Sequence, residues 1–210
     1  MNSDSGLAFV SDSSPSASPS TDKREALLRA ALELFAERTY GATPVPDIAA
    51  RAHVGTGTVY RHFESKEALA NAVFRRCKTT MHETLRTALG AGGSEEVRFL
   101  RFWQGLAAMA VADPTALRFL ELQHHDDYLD ADSRALRDAV FATAEAFVTE
   151  GQRTRAIRAA NPRMLIAMVF GAFVGMFKEA CAGRYALNED AVADAGECAW
   201  RMIAGDAIER

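Results

Sequence analysis

From Thr21 onward the apolar residues recur at helical spacing. Leu27, Leu28, Ala31, Leu34 and Phe35 fall at i, i+1, i+4, i+7 and i+8, one face of an amphipathic helix. Thr21 suits its N-cap and Tyr40-Gly41 its stop. Two short helices are predicted next, at about 45–52 and 56–63, broken by His53-Val54-Gly55. Thr43-Pro44 opens the first of them, where the N–H that Pro lacks has no intrahelical partner anyway. Ser65 then caps a long helix to about Leu89, closed by Gly90, Gly92 and Gly93. Further helices read at about 94–112, 114–128, 132–152, 162–182 and 188–208. No stretch alternates apolar and polar residues in the manner of a strand. The pattern predicts an all-α fold of about nine helices. Residues 21–68 form a small three-helix unit, and residues 69–210 a larger helical bundle, with the long helix 65–89 joining them.

Composition adds limits. The chain has 210 residues, 49% hydrophobic and 25% charged, the profile of an ordinary globular protein. Residues 1–20 hold eight Ser and two Pro and read as a disordered tail without the features of a secretory signal. Cys77, Cys181 and Cys198 are odd in number and widely spaced, which fits reduced thiols in the cytoplasm. The longest uncharged apolar run, Met164 to Phe177, is 14 residues. A membrane span needs ~20, so a buried helix is expected and no membrane partner. There is no glycine-rich phosphate loop, and no cofactor is expected. The net charge of −4, from 24 Lys+Arg against 28 Asp+Glu, argues against nucleic acid when summed over the whole chain.

The segment that carries chemistry is 43–67. Two short helices joined by a tight turn cannot bury their own faces and need the preceding helix as a third wall, which is a helix-turn-helix unit. Its second helix is the reader, N-terminal residues foremost. Here it begins Gly55-Thr56-Gly57-Thr58-Val59-Tyr60-Arg61-His62-Phe63. Threonine hydroxyls and bare N–H groups at a helix start suit phosphate. Val59 and Phe63, four apart, would face inward.

At these residues the sequence resembles the DNA-binding region of TetR-type transcriptional regulators. The likeness lies in Ala31-x-x-Leu34-Phe35, in Thr43 to Val54 with Asp47-Ile48-Ala49 at its centre, in Gly57-Thr58-x-Tyr60-x-His62-Phe63, and in Ser65-Lys66-Glu67-x-Leu69. The resemblance implies a homodimer with an N-terminal DNA-binding unit and a C-terminal ligand-binding and dimerisation domain. It implies phosphate contacts at Thr43, Thr58, Tyr60 and Lys66, groove or base contacts among Thr56, Gly57 and Arg61, and His62 near the DNA backbone. Arg suits guanine O6/N7 bidentately.

Four features depart from the family pattern. His53 stands where Gly is usual and would need a left-handed backbone, for which His is among the enriched residue types. Tyr40-Gly41 reverses the usual pair at the end of the first helix. Pro46 replaces a polar groove-facing residue, and Gly55 replaces a capping hydroxyl. Local charge revises the global sum: residues 21–90 hold 11 Lys+Arg and 8 Asp+Glu, a net of +3, while residues 91–210 hold 13 and 18, a net of −5. A basic unit on an acidic body suits a protein that turns one end to DNA.

In the body, Ala167, Gly171 and Gly175 recur every four residues, and Ala195, Ala199 and Met202 lie on a similar stripe of the last helix. Small residues in a row permit close helix approach. By resemblance these two helices pair with their symmetry mates, against the alternative that both stripes are buried within one chain. The middle helices supply aromatics for an apolar core or for an effector pocket. Phe102, Trp103, Leu106, Phe119, Phe141, Met168 and Phe173 are the candidates, with Glu121 and His124 as polar anchors. Glu121, His124 and His125 also admit a metal-binding helical bundle enzyme, or simply an exposed helix end. A partner-binding scaffold without operator recognition is a third reading. The leading expectation is a non-enzymatic, ligand-responsive repressor that binds double-stranded operator DNA and is released by a small apolar or amphipathic effector.

Overall fold

The computed structural model describes residues 19–122 and 124–205. Most of the tail read at 1–20 lies outside them. The described chain forms nine helices: α1 Pro19–Arg38, α2 Val45–Arg51, α3 Thr56–His62, α4 Lys66–Gly90, α5 Glu95–Ala112, α6 Pro114–Leu122, α7 Ala131–Arg153, α8 Pro162–Cys181 and α9 Glu189–Ile203. No described residue lies in a strand. One isolated antiparallel bridge joins Ile157 to Ala204.

Side-chain caps set most of the helix starts. The Ala68 N–H donates to Ser65 at 3.1 Å, and Ser133 N–H to Asp130 at 2.8 Å. Ser94, Asn161 and Asn188 cap α5, α8 and α9 in the same way. Each such cap is worth ~1 kcal/mol.

Three boundaries differ from the sequence pattern. α1 is already helical at Pro19, ahead of Thr21, and ends at Arg38 because Thr39 turns left-handed (φ 71°). α6 stops at Leu122 rather than near 128, and Tyr128 instead closes a turn by donating its N–H to the His125 carbonyl at 3.2 Å. α9 ends at Ile203, where the chain leaves the helix and Gly205 donates its N–H to the Ala156 carbonyl at 2.8 Å.

α4 is the spine. Its first half (Leu69, Ala70, Val73) is buried with α1, and its second half with α5 and α7. α1 also packs on α6, where Phe35 stacks on Phe119 with centroids 6.2 Å apart. α5 packs on α9, and α9 on α8. A Cβ at Gly196 of α9 would lie 2.9 Å from Trp103 of α5, so the glycine is what lets that indole lie against the helix. One continuous core therefore links the small unit to the body.

Candidate functional site

The small unit is a helix-turn-helix. Ile48 and Ala49 of α2 and Val59 of α3 are buried, as is Phe63 just after α3. Between the helices His53 is left-handed (φ 54°), and the Val54 N–H reaches back to the Ala49 carbonyl at 2.9 Å. That is the helix-stop geometry usually given to Gly. Gly55 enters α3 in an extended conformation with no side-chain cap, so the first N–H groups of α3 lack a side-chain partner.

The outer surface of α3 carries Thr56, Gly57, Arg61 and Tyr60, the last 54% exposed, with Thr58 half-buried beside them. Among the described residues no acid pairs with Arg61. Other cations of the unit are occupied: Arg51 bridges Glu33 and Glu37, and Arg38 bridges Asp47. Lys66, at the start of α4, holds its ammonium 4.3 Å from the centre of the Tyr40 ring, and partial burial lowers its pKa. The Tyr40 hydroxyl donates to Glu67 at 2.7 Å, which holds the Glu67 carboxyl below its usual range.

Two expected DNA contacts are turned inward. Thr43 is fully buried and donates its hydroxyl to the Thr39 carbonyl at 2.7 Å, so that hydroxyl pins the α1–α2 loop and cannot reach a phosphate. His62 is half-buried, and its Nε2 has no hydrogen-bond partner among the described residues, which places it under α3 rather than on its outer face.

The body encloses an apolar cavity of about 90 Å³ between α4, α5, α7 and α8. Phe102, Leu106 and Phe141 line it, together with Met81, Leu85 and Leu89 of α4 and Leu165, Ile166, Val169 and Phe170 of α8. One charged residue, Lys78, reaches it.

Family models match almost all of the described chain. That of bacterial regulatory proteins of the tetR family covers residues 27–73, and that of the tetracyclin repressor-like C-terminal domain covers residues 74–205. The chain belongs to the TetR family. It is 40% identical over 79 residues to the HTH-type transcriptional repressor Rv3405c of Mycobacterium tuberculosis, a match covering 33% of this chain and 42% of that protein. It is 39% identical over 71 residues to the HTH-type transcriptional activator FasR of Mycolicibacterium smegmatis, covering 34% and 32%. The matches thus span about two fifths or less of these curated relatives. A TetR family transcription regulator from Marinobacter aquaeolei VT8 shares the fold with a TM-score of 0.79 at 22% identity, over 88% of this chain and 97% of that one.

The TetR body draws on fewer of the expected pocket residues than the sequence suggested. Trp103 and Phe173 are buried against each other, ring centroids 5.3 Å apart, in the α5–α8 packing. Phe119 is buried against Phe35 and His125, and Met168 is 44% exposed on the outside of α8. His124 is exposed. Glu121 pairs with Lys78 at 3.4 Å, both side chains 11% exposed, and burial raises the Glu121 pKa. His125 donates from Nε2 to the Leu120 carbonyl at 3.2 Å, so its Nδ1 accepts from the Tyr128 hydroxyl. Glu121, His124 and His125 therefore do not converge, and among the described residues no group of three or more His, Cys, Asp or Glu is placed to hold a metal ion. The residues missed are those of α4 and of the inner faces of α7 and α8, Leu165, Ile166, Val169 and Phe170 among them. Lys78, Met81, Leu85 and Leu89 form an i, i+3, i+7, i+11 row with one charge in an apolar stripe, which was the available signal.

The outer face of α8 is uncovered. Met164, Ala167, Met168, Gly171, Ala172 and Gly175 are exposed, and the helix is long and apolar enough to cross a membrane by length and composition alone. Only 22% of its apolar window is buried, unlike the buried helix expected from the sequence. A Cβ added at Gly171 or Gly175 would meet nothing within 4 Å. On α9, Ala195 and Met202 are half-buried, whereas Ala199 is 2% exposed and belongs to the core of its own chain, which removes it from any contact with a partner.

Proposed function

We propose that this TetR-family chain is a DNA-binding transcriptional regulator, a repressor that works in the cytoplasm as a homodimer and is released from its operator by a small apolar effector. The observation that carries the reading is the surface of α3. Thr56, Tyr60 and Arg61 stand exposed on a helix held from behind by Val59 and Phe63, with no described acid answering the Arg61 guanidinium. On this reading Thr56, Gly57, Thr58, Tyr60 and Lys66 hold phosphates or the groove wall, and Arg61 reads a base edge.

The uncovered α8 face supports the dimer. Two glycines inside a helix cost roughly 0.5–1 kcal/mol each against Ala, and within the chain no neighbour needs their smallness. Close approach of a second α8 supplies the reason. Effector binding between α4, α5, α7 and α8 would tilt α4 and change the separation of the two reading helices, which two-fold binding needs at ~34–36 Å or a multiple. The linkage is reciprocal, so an effector that weakens DNA binding binds the DNA-bound form less well.

Selection of duplexes from a random pool, followed by footprinting on the DNA flanking its own coding region, tests the reading. Salt-sensitive protection of a two-fold site is the expected result. Absence of any sequence-selective protection would sink it.

A further inference from the structure

The cavity is apolar but for one lysine. Its α4 wall runs from Lys78 to Leu89, about 16 Å of helix. Its volume is about 90 Å³, against ~150 Å³ for a cavity that takes benzene. It is an apolar slot with less room than benzene takes, and its walls must give before a larger ligand is seated. Half-exposed Phe141 lies on its wall, so the slot has a side chain through which it can open to solvent.

Lys78 stands at the end of the slot nearer the DNA-binding unit. Its ammonium can donate three hydrogen bonds, yet its described partners are Glu121 at 3.4 Å and the Met81 sulfur at 3.5 Å. A well-formed ammonium–carboxylate contact is ~2.7–2.9 Å, so the buried charge is incompletely answered. Glu121 is buried too, and burial raises its pKa, so the carboxylate that answers Lys78 is itself held at a desolvation cost.

We infer that the effector is an apolar monocarboxylic acid, its hydrocarbon part in the slot and its carboxylate on Lys78 in place of Glu121. The inference rests on the effector reading above and gives that effector a chemical class. It also supplies a link to the DNA unit. Glu121 lies at the end of α6, which packs on α1, and a carboxylate displaced there disturbs the segment that holds His125 and Tyr128 against α4 and Tyr40.

Titration calorimetry on the full chain without DNA tests the site, with octanoate and octanamide as probes. Wild type should bind octanoate at least about tenfold more tightly than octanamide, since a hydrogen bond to a charged group is the stronger kind. Lys78→Met should erase that preference while octanamide still binds. Glu121→Gln, which removes the competing anion and leaves Lys78 in place, should tighten octanoate and leave octanamide unchanged. Equal binding of octanoate and octanamide by wild type, no binding of octanoate, or a preference that survives Lys78→Met would each overturn the proposal. Operator affinity is measured separately with and without octanoate. Binding in the slot with unchanged operator affinity upholds the site and overturns the effector reading alone.

Discussion

The ammonium of Lys66 lies over the face of Tyr40, 4.3 Å from the ring centre. Tyr40 itself packs on Tyr128 at 4.3 Å between centroids, so the first cation of α4 is seated on a ring that also touches the loop after α6. A lysine held this way loses less freedom when it meets a phosphate. Lys66→Ala should weaken binding to every duplex alike and lower the slope of log K against log salt by about 0.9. Arg61→Ala should cost the operator ~1–3 kcal/mol and relax base preference at one position. Filter binding over a salt series separates the two, and equal losses on cognate and random DNA for Arg61→Ala would remove it as a reader.

The helix-turn-helix was legible because its register is fixed by few residues. Val59 and Phe63 had to face inward for α3 to pack at all, and they do. The left-handed His53 was legible as well, since only one residue separates the end of α2 from the turn. Thr43 was not, because a hydroxyl can serve a nearby backbone carbonyl as readily as a phosphate. In the body, aromatic stripes show that a helix has an apolar face and not which helix meets it. Trp103 went into packing against Gly196 and Phe173, while the slot took its wall from α4, which read only as a connector.

Gly171 and Gly175 lie on a face that nothing within the chain covers. Gly175→Leu would meet no neighbour inside the monomer, so its helical signature and cavity should be unchanged. In a dimer built on close α8 approach it would force the helices apart. Sedimentation velocity should show the variant dissociating at concentrations where wild type stays dimeric, with operator affinity falling in parallel. A variant that stays as tightly dimeric as wild type would place the seam elsewhere.

Thr39 holds a left-handed backbone at φ 71° despite its branched side chain. The steric cost of that conformation is roughly 1–2 kcal/mol, and Gly would relieve it at the expense of unfolded-chain entropy of ~0.5–1 kcal/mol. Thr39→Gly should therefore stabilise the fold by about 0.5–1 kcal/mol and raise Tm by roughly 1–4 °C. Thr39→Ala keeps a Cβ and should bring no such gain. If both variants melted at the wild-type temperature, the loop would hold no strain worth relieving.

His125 is a neutral imidazole held at both nitrogens, between Phe74 and Phe119, with Lys78 and Asp126 the charged groups nearest in effect. Burial lowers its pKa below the ordinary value of ~6.5. The unfolded chain then takes up the proton first as pH falls, so stability drops across the interval below about 6.5 down to the folded-state value. Denaturant melts of wild type and His125→Gln between pH 7.5 and 5.5 measure the difference. His125→Gln should be less stable at pH 7.5, having lost the ring packing, and should show a shallower decline toward pH 5.5. Parallel declines would mean that some other group carries the acid sensitivity of the segment between α6 and α7.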